Sequence, residues 1–65
     1  MEWVAVKIRI AKGHPGWMCA VNGSLIGGPH EDIITQGQTP AECMEKMRHQ
    51  LTVLLESKIL LLLEN

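Results

Sequence analysis

The run Thr35-Gln36-Gly37-Gln38-Thr39-Pro40-Ala41-Glu42-Cys43 constrains this chain more than any other, because an extended segment there hands over to a helix. Thr39 followed three residues later by Glu42 has the spacing of a capping box. The Thr39 hydroxyl is placed to accept from the backbone N–H of Glu42, and the Glu42 carboxylate to reach back to the N–H of Thr39. Pro40 falls at the first helical position, where its missing N–H costs nothing and its fixed φ is already helical. Gly37 stands just before the cap, where a tight corner calls for the positive φ that glycine tolerates. A strand therefore ends near Gln36 and a helix begins at Pro40.

Upstream, residues Trp3 to Lys12 alternate: Val4, Val6, Ile8 and Ile10 take one face, and Ala5, Lys7, Arg9 and Ala11 the other. Strict period two with β-branched residues on one side describes a half-buried strand. Lys12-Gly13-His14-Pro15-Gly16 is a loop by composition. Trp17-Met18-Cys19-Ala20-Val21 returns as a second strand, so residues 3–21 form an antiparallel hairpin. Asn22-Gly23 ends it, and a mobile connection is expected from Asn22 to about Glu31. Ile33-Ile34-Thr35-Gln36 is a third short strand.

From Pro40 the period changes. Cys43, Met47, Leu51, Leu54 and Leu55 recur at helical spacing with Met44 beside them, while Glu45, Lys46, Arg48, His49 and Gln50 face outward. This predicts an amphipathic helix from Pro40 to about Glu56. Ile59-Leu60-Leu61-Leu62-Leu63 has two readings. Leucine favours helix, but a helix running through Leu63 would be apolar all round in its last turn. The preferred reading breaks near Ser57-Lys58 and adds a strand over Lys58 to Leu63.

The whole is one small domain of 65 residues, α+β in class. A three- or four-stranded antiparallel sheet carries one helix on one face, in the order β-β-β-α, or β-β-β-α-β if the last run is a strand. A chain of this size buries only about 60% of the surface its unfolded form exposes. An apolar terminus left open would invite aggregation, so self-association as a homodimer is expected.

The net charge is −1 and the sequence pI near 6.2, which argues against wholesale binding to nucleic-acid phosphates. Cys19 and Cys43 are the only cysteines. No signal-like segment opens the chain and no apolar stretch approaches membrane-span length. A cytoplasmic chain with reduced, buried thiols is expected, with no membrane association.

The motif at residues 33–43 resembles the HicB-like antitoxin family, in which a short strand runs into Gly-x-Thr-x-x-Glu-Ala at a helix start. Gly37, Thr39 and Glu42 match that pattern, with Cys43 in place of the Ala. Gly16-Trp17 sits where the family has Gly followed by an aromatic, and the element order agrees over residues 3–56. Asn22 to Asp32 stands in place of the family's Pro-Asp-Leu-Pro-Gly-Cys segment. The resemblance implies a partial RNase H-like fold and a dimer. It also implies a role in binding and blocking a small mRNA-cleaving toxin of the HicA type. Many members carry a C-terminal DNA-binding domain, which is expected to be absent here.

No catalysis is expected, because the strands offer no acidic pair to hold divalent metals. His14, His30 and His49 with Cys19 and Cys43 are donor types that zinc accepts, but no pair has ligand spacing, so loop histidines and buried thiols are the simpler account. No metal and no cofactor are expected. Gly23, Gly27 and Gly28 resemble pieces of a phosphate loop, yet Pro29-His30-Glu31-Asp32 follows where a Lys-Ser/Thr or a helix should. Lys7, Arg9 and Lys12 form a basic strip on the first strand, most simply a solvated face. Trp17 is either a core cap or an interface anchor.

Candidate partner contacts are Lys7, Arg9 and Trp17 together with the 22–32 connection; Gly37, Thr39 and Glu42 are structural. The expected function is a non-catalytic protein-interaction module, with a small basic toxin as partner and no direct nucleic-acid binding. The alternatives are an RNA-binding sheet using the basic strip, or a stand-alone homodimer.

Overall fold

A computed structural model describes residues 2–23 and 31–64. Its elements are β1 (Trp3–Lys12), β2 (Trp17–Asn22), β3 (Asp32–Gly37), α1 (Pro40–Leu55) and β4 (Lys58–Leu63). The strands form one sheet in the order β3-β2-β1-β4, and α1 packs on one face of it. The α+β architecture is the expected one, with the C-terminal run as a strand. The expected connection between β2 and β3 falls mostly on residues 24–30, outside the described residues.

β1 and β2 pair antiparallel, with Arg9 opposite Ala20 and Lys12 opposite Trp17; β2 and β3 do likewise, with Ala20 opposite Ile34. The sheet is not antiparallel throughout, however. β4 runs parallel to β1, from Trp3 opposite Lys58 to Ile8 opposite Leu63. The reason is topological. β3 runs in the direction of β1, α1 reverses the chain across the face, and β4 then re-enters in the original direction at the far edge. Parallel neighbours need such a crossover rather than a tight turn.

Strand alternation sorts the side chains as the sequence implies. Val6 and Ile8 of β1, Cys19 and Val21 of β2, and Ile59 of β4 meet Cys43, Met47 and Leu51 of α1 in the buried core. Val4, Ile10, Ile33, Met44, Leu55 and Leu61 pack around it. Leu54 lies on the same helical stripe but in the last turn, where it is half exposed.

The corner before α1 closes in a slightly different way from the reciprocal box. Thr39 Oγ1 accepts from the Glu42 N–H at 3.1 Å, as the spacing dictates. Glu42 Oε2 instead accepts from the N–H of Gln38, one residue further back, also at 3.1 Å. Gly37 has no positive φ; the described glycine that does is Gly16, at +83°. Gly37 is required for room, since a Cβ there would lie 2.7 Å from the Cys43 nitrogen and 2.9 Å from Glu42 Cβ. A Cβ on Gly16 would strike the Gly37 carbonyl oxygen, so the two glycines let the hairpin loop and the helix corner meet. The helix stops at Glu56, which takes a left-handed conformation (φ 51°, ψ 39°), and Ser57 Oγ donates to the Leu55 carbonyl at 3.1 Å.

Candidate interaction surface

With α1 on one face only, the other face of the sheet is open to solvent. Odd-numbered positions of β1 point there: Trp3, Ala5, Lys7, Arg9 and Ala11. The strand registers bring Ala20 and Ile34 into line with Arg9, and Leu60 and Leu62 beside Ala5 and Lys7. The centre of this face is a hollow of about 360 Å³ lined by Lys7, Arg9, Ala20, Asn22, Asp32 and Glu64. Apolar side chains flank it. Trp3, Leu60 and Leu62 stand on one side, 64%, 50% and 43% exposed, and Ile34 on the other.

The hollow carries both signs of charge. Arg9 Nη2 donates to Asp32 Oδ2 at 2.6 Å, with both side chains about half exposed. A pair so solvated adds under about 1 kcal/mol to stability, yet it holds the guanidinium in place and neutralises it locally. Lys7 makes no ion pair with the described residues. At the start of β1, Lys58 Nζ sits 5.6 Å from the centroid of the Trp3 ring, in cation–π range.

The expected contact residues are not brought together as a group. Lys7 and Arg9 share the open face. Trp17 lies on the opposite one, in phase with Cys19 and Val21, and packs against the core. Lys12 also belongs to the helix side of β1, because an even position cannot share the face of Lys7 and Arg9. The basic strip is thus Lys7 and Arg9 alone, with Arg9 paired to Asp32 and Glu64 lining the same hollow. Asn22 and Asp32, the two ends of the 22–32 connection, are the parts of it that the described structure places in the hollow. Their position opposite one another could be read only once the β2–β3 register was known.

A second concavity, of about 390 Å³, follows the free edge of β4. Met44, Arg48 and Thr52 of α1 form one wall, and Ile59, Leu60 and Leu61 form the other. Sequence reasoning saw that the leucine run was apolar but not that its edge would remain unpaired. Its signal was the pattern itself: one lysine, five aliphatic residues and one glutamate, Lys58 to Glu64.

Cys19 and Cys43 are both free and fully buried. His14 and His49 are exposed, and among the described residues no three His, Cys, Asp or Glu side chains gather in a metal-binding group. No described helix is long and apolar enough to cross a membrane.

Compared with protein-family models, curated proteins and solved structures, the chain has no match.

Proposed function

We propose that this chain is a small, non-catalytic, cytoplasmic protein-interaction module that acts as a HicB-type antitoxin, binding a small mRNA-cleaving toxin and blocking its site. The supporting observation is the open sheet face. Its centre, with Lys7, Arg9, Asp32 and Glu64 in one hollow, mixes both charges, and its flanks are apolar. A surface of this composition suits a protein partner with its own mixed polar patch and hydrophobic rim. It suits an RNA backbone poorly, since Arg9 is already paired with Asp32 and Lys7 alone would neutralise few phosphates. Self-association as a homodimer is part of the reading, because the aliphatic edge of β4 is otherwise open to water.

The test begins with the tagged protein expressed in its own host and intact-complex mass spectrometry at moderate salt. A stoichiometric small basic protein is expected. That protein should cleave mRNA alone, stop when the wild-type chain is added, and continue when Lys7→Glu/Arg9→Glu is added instead. Recovery of the homodimer alone would sink the antitoxin reading. Inhibition unchanged by the double charge reversal would move the contact away from this face.

A further inference from the structure

An edge strand rarely presents a flat, unbroken aliphatic run, because its unpaired N–H and C=O groups are a template for another strand; lysine, proline or a bulge normally interrupts it. β4 has no such interruption between Lys58 and Glu64. We infer that β4 pairs antiparallel with β4 of a second copy across a two-fold axis at Leu61, joining the two sheets into one. This rests on the self-association in the reading above and specifies how it is achieved.

Backbone direction restricts the register first. The N–H of Glu64 donates to the Ile8 carbonyl at 2.9 Å, continuing the β1–β4 ladder. Alternate residues of a strand point their backbone groups to opposite sides, so Leu60 and Leu62 also face β1. Ile59, Leu61 and Leu63 then offer their N–H and C=O groups to the open edge. In an antiparallel pair, residues that exchange hydrogen bonds stand directly opposite one another. The edge-facing residues must therefore oppose edge-facing residues, which rules out every register placing an odd position against an even one.

Side-chain chemistry then selects among those that remain. Centring on Leu60 sets Lys58 against a leucine and Glu56 against the partner's Glu64. Centring on Leu62 sets Leu60 against the partner's Glu64. Centring on Leu61 pairs Ile59 with the partner's Leu63 and Leu60 with the partner's Leu62. It also places Lys58 against the partner's Glu64 at each end of the ladder. All three edge-facing residues are used, every leucine meets an aliphatic side chain, and both charges are answered. Opposed residues share a face of the sheet, so both helices lie on the same side. Leu63, now 56% exposed, is covered there. The hollow around Lys7 and Arg9 stays open in each protomer.

Two experiments on the full chain test this. In sedimentation velocity, Lys58→Glu should weaken the wild-type dimer about tenfold, since attraction becomes like-charge repulsion at both ends. The Lys58→Glu/Glu64→Lys double variant should restore it. The lost Lys58–Trp3 contact is common to both variants, so rescue isolates the cross-subunit pair.

In mild oxidation, Leu60→Cys mixed with Leu62→Cys should give a disulfide-linked heterodimer. Non-hydrogen-bonded antiparallel neighbours have Cα atoms about 4.5 Å apart, within disulfide reach. Neither variant should cross-link with itself. Both substituted positions are substantially exposed, and Cys19 and Cys43 are buried beyond reach. Self-linkage of Leu60→Cys, or a dimer indifferent to Lys58→Glu, would overturn this pairing while leaving the homodimer standing. A wild-type chain that sediments as a monomer at tens of micromolar would overturn both.

Discussion

The Sγ atoms of Cys19 and Cys43 lie 2.7 Å apart at the buried centre of the core, one thiol donating to the other, and so join the middle of β2 to the first turn of α1. Neighbouring bonds fix them: Thr35 Oγ1 donates to the Cys43 carbonyl at 2.8 Å, and Cys43 Sγ lies 3.3 Å from the Pro40 carbonyl oxygen. The contact ties the hairpin to the helix through two small, fully buried side chains.

Alkaline stability should report on this site. Burial, reinforced by the hydrogen bond and charge coupling to Cys43, pushes the Cys19 thiol up from 9.0 to about 12, with Thr35 opposing weakly. Between those values the unfolded chain has released the thiol proton and the folded chain retains it. The unfolded state then binds fewer protons, so stability falls as pH rises. The Cys19 contribution is flat below about pH 9 and declines from there toward pH 12. Urea midpoints measured across this range, set against those of Cys19→Ala, should diverge only above pH 9. Parallel curves would refute the assignment.

Gly37→Ala should be among the costliest single-methyl changes in the chain. The added Cβ meets backbone at the Cys43 nitrogen, which a side-chain rotation cannot relieve. A loss of about 2–3 kcal/mol is expected, read as a lowered denaturation midpoint. A variant within about 0.5 kcal/mol of wild type would mean the corner opens freely.

The helix cap makes a smaller, separable contribution. Thr39→Ala removes the acceptor for the Glu42 N–H and should cost about 1 kcal/mol. Thr39→Ser keeps the oxygen and should recover most of it. Equal losses in thermal melts of the two variants would assign the effect to the methyl group instead.

At the other end of α1, Glu56 occupies a left-handed conformation that non-glycine residues adopt at a cost. Glu56→Gly is expected to stabilise by about 0.5–1 kcal/mol, raising the melting temperature by several degrees in a domain of this size. A decrease would show that the Glu56 side chain supplies more than the backbone strain removes.

Local signals made much of this fold legible. β1 is visible because its neighbours are alternately wet and dry, and α1 because cap, proline and periodicity agree within a few residues. β4 was readable as a strand mainly because a helix there would have had no polar side. The interaction surface was less legible. Lys7 and Arg9 follow from strand parity, but Lys12 does not join them, since a spacing of three along a strand changes the face. The pairing of Arg9 with Asp32 spans 23 positions and depends on how β2 and β3 align.

The sequence by itself determined β1, β2, β3 and α1, their boundaries to within a residue or two, and which side of β1 and α1 is apolar, because these depend on neighbours a few positions apart. It left residues 58–63 between a strand and a longer helix. Tertiary structure decided the parallel placement of β4, the contact between the two thiols, the segregation of Trp17 from Lys7 and Arg9, and the role of Gly37 as a gap rather than a turn. Each of these depends on the helical crossover and the strand registers, which bring distant residues within a few ångströms and which no local pattern encodes.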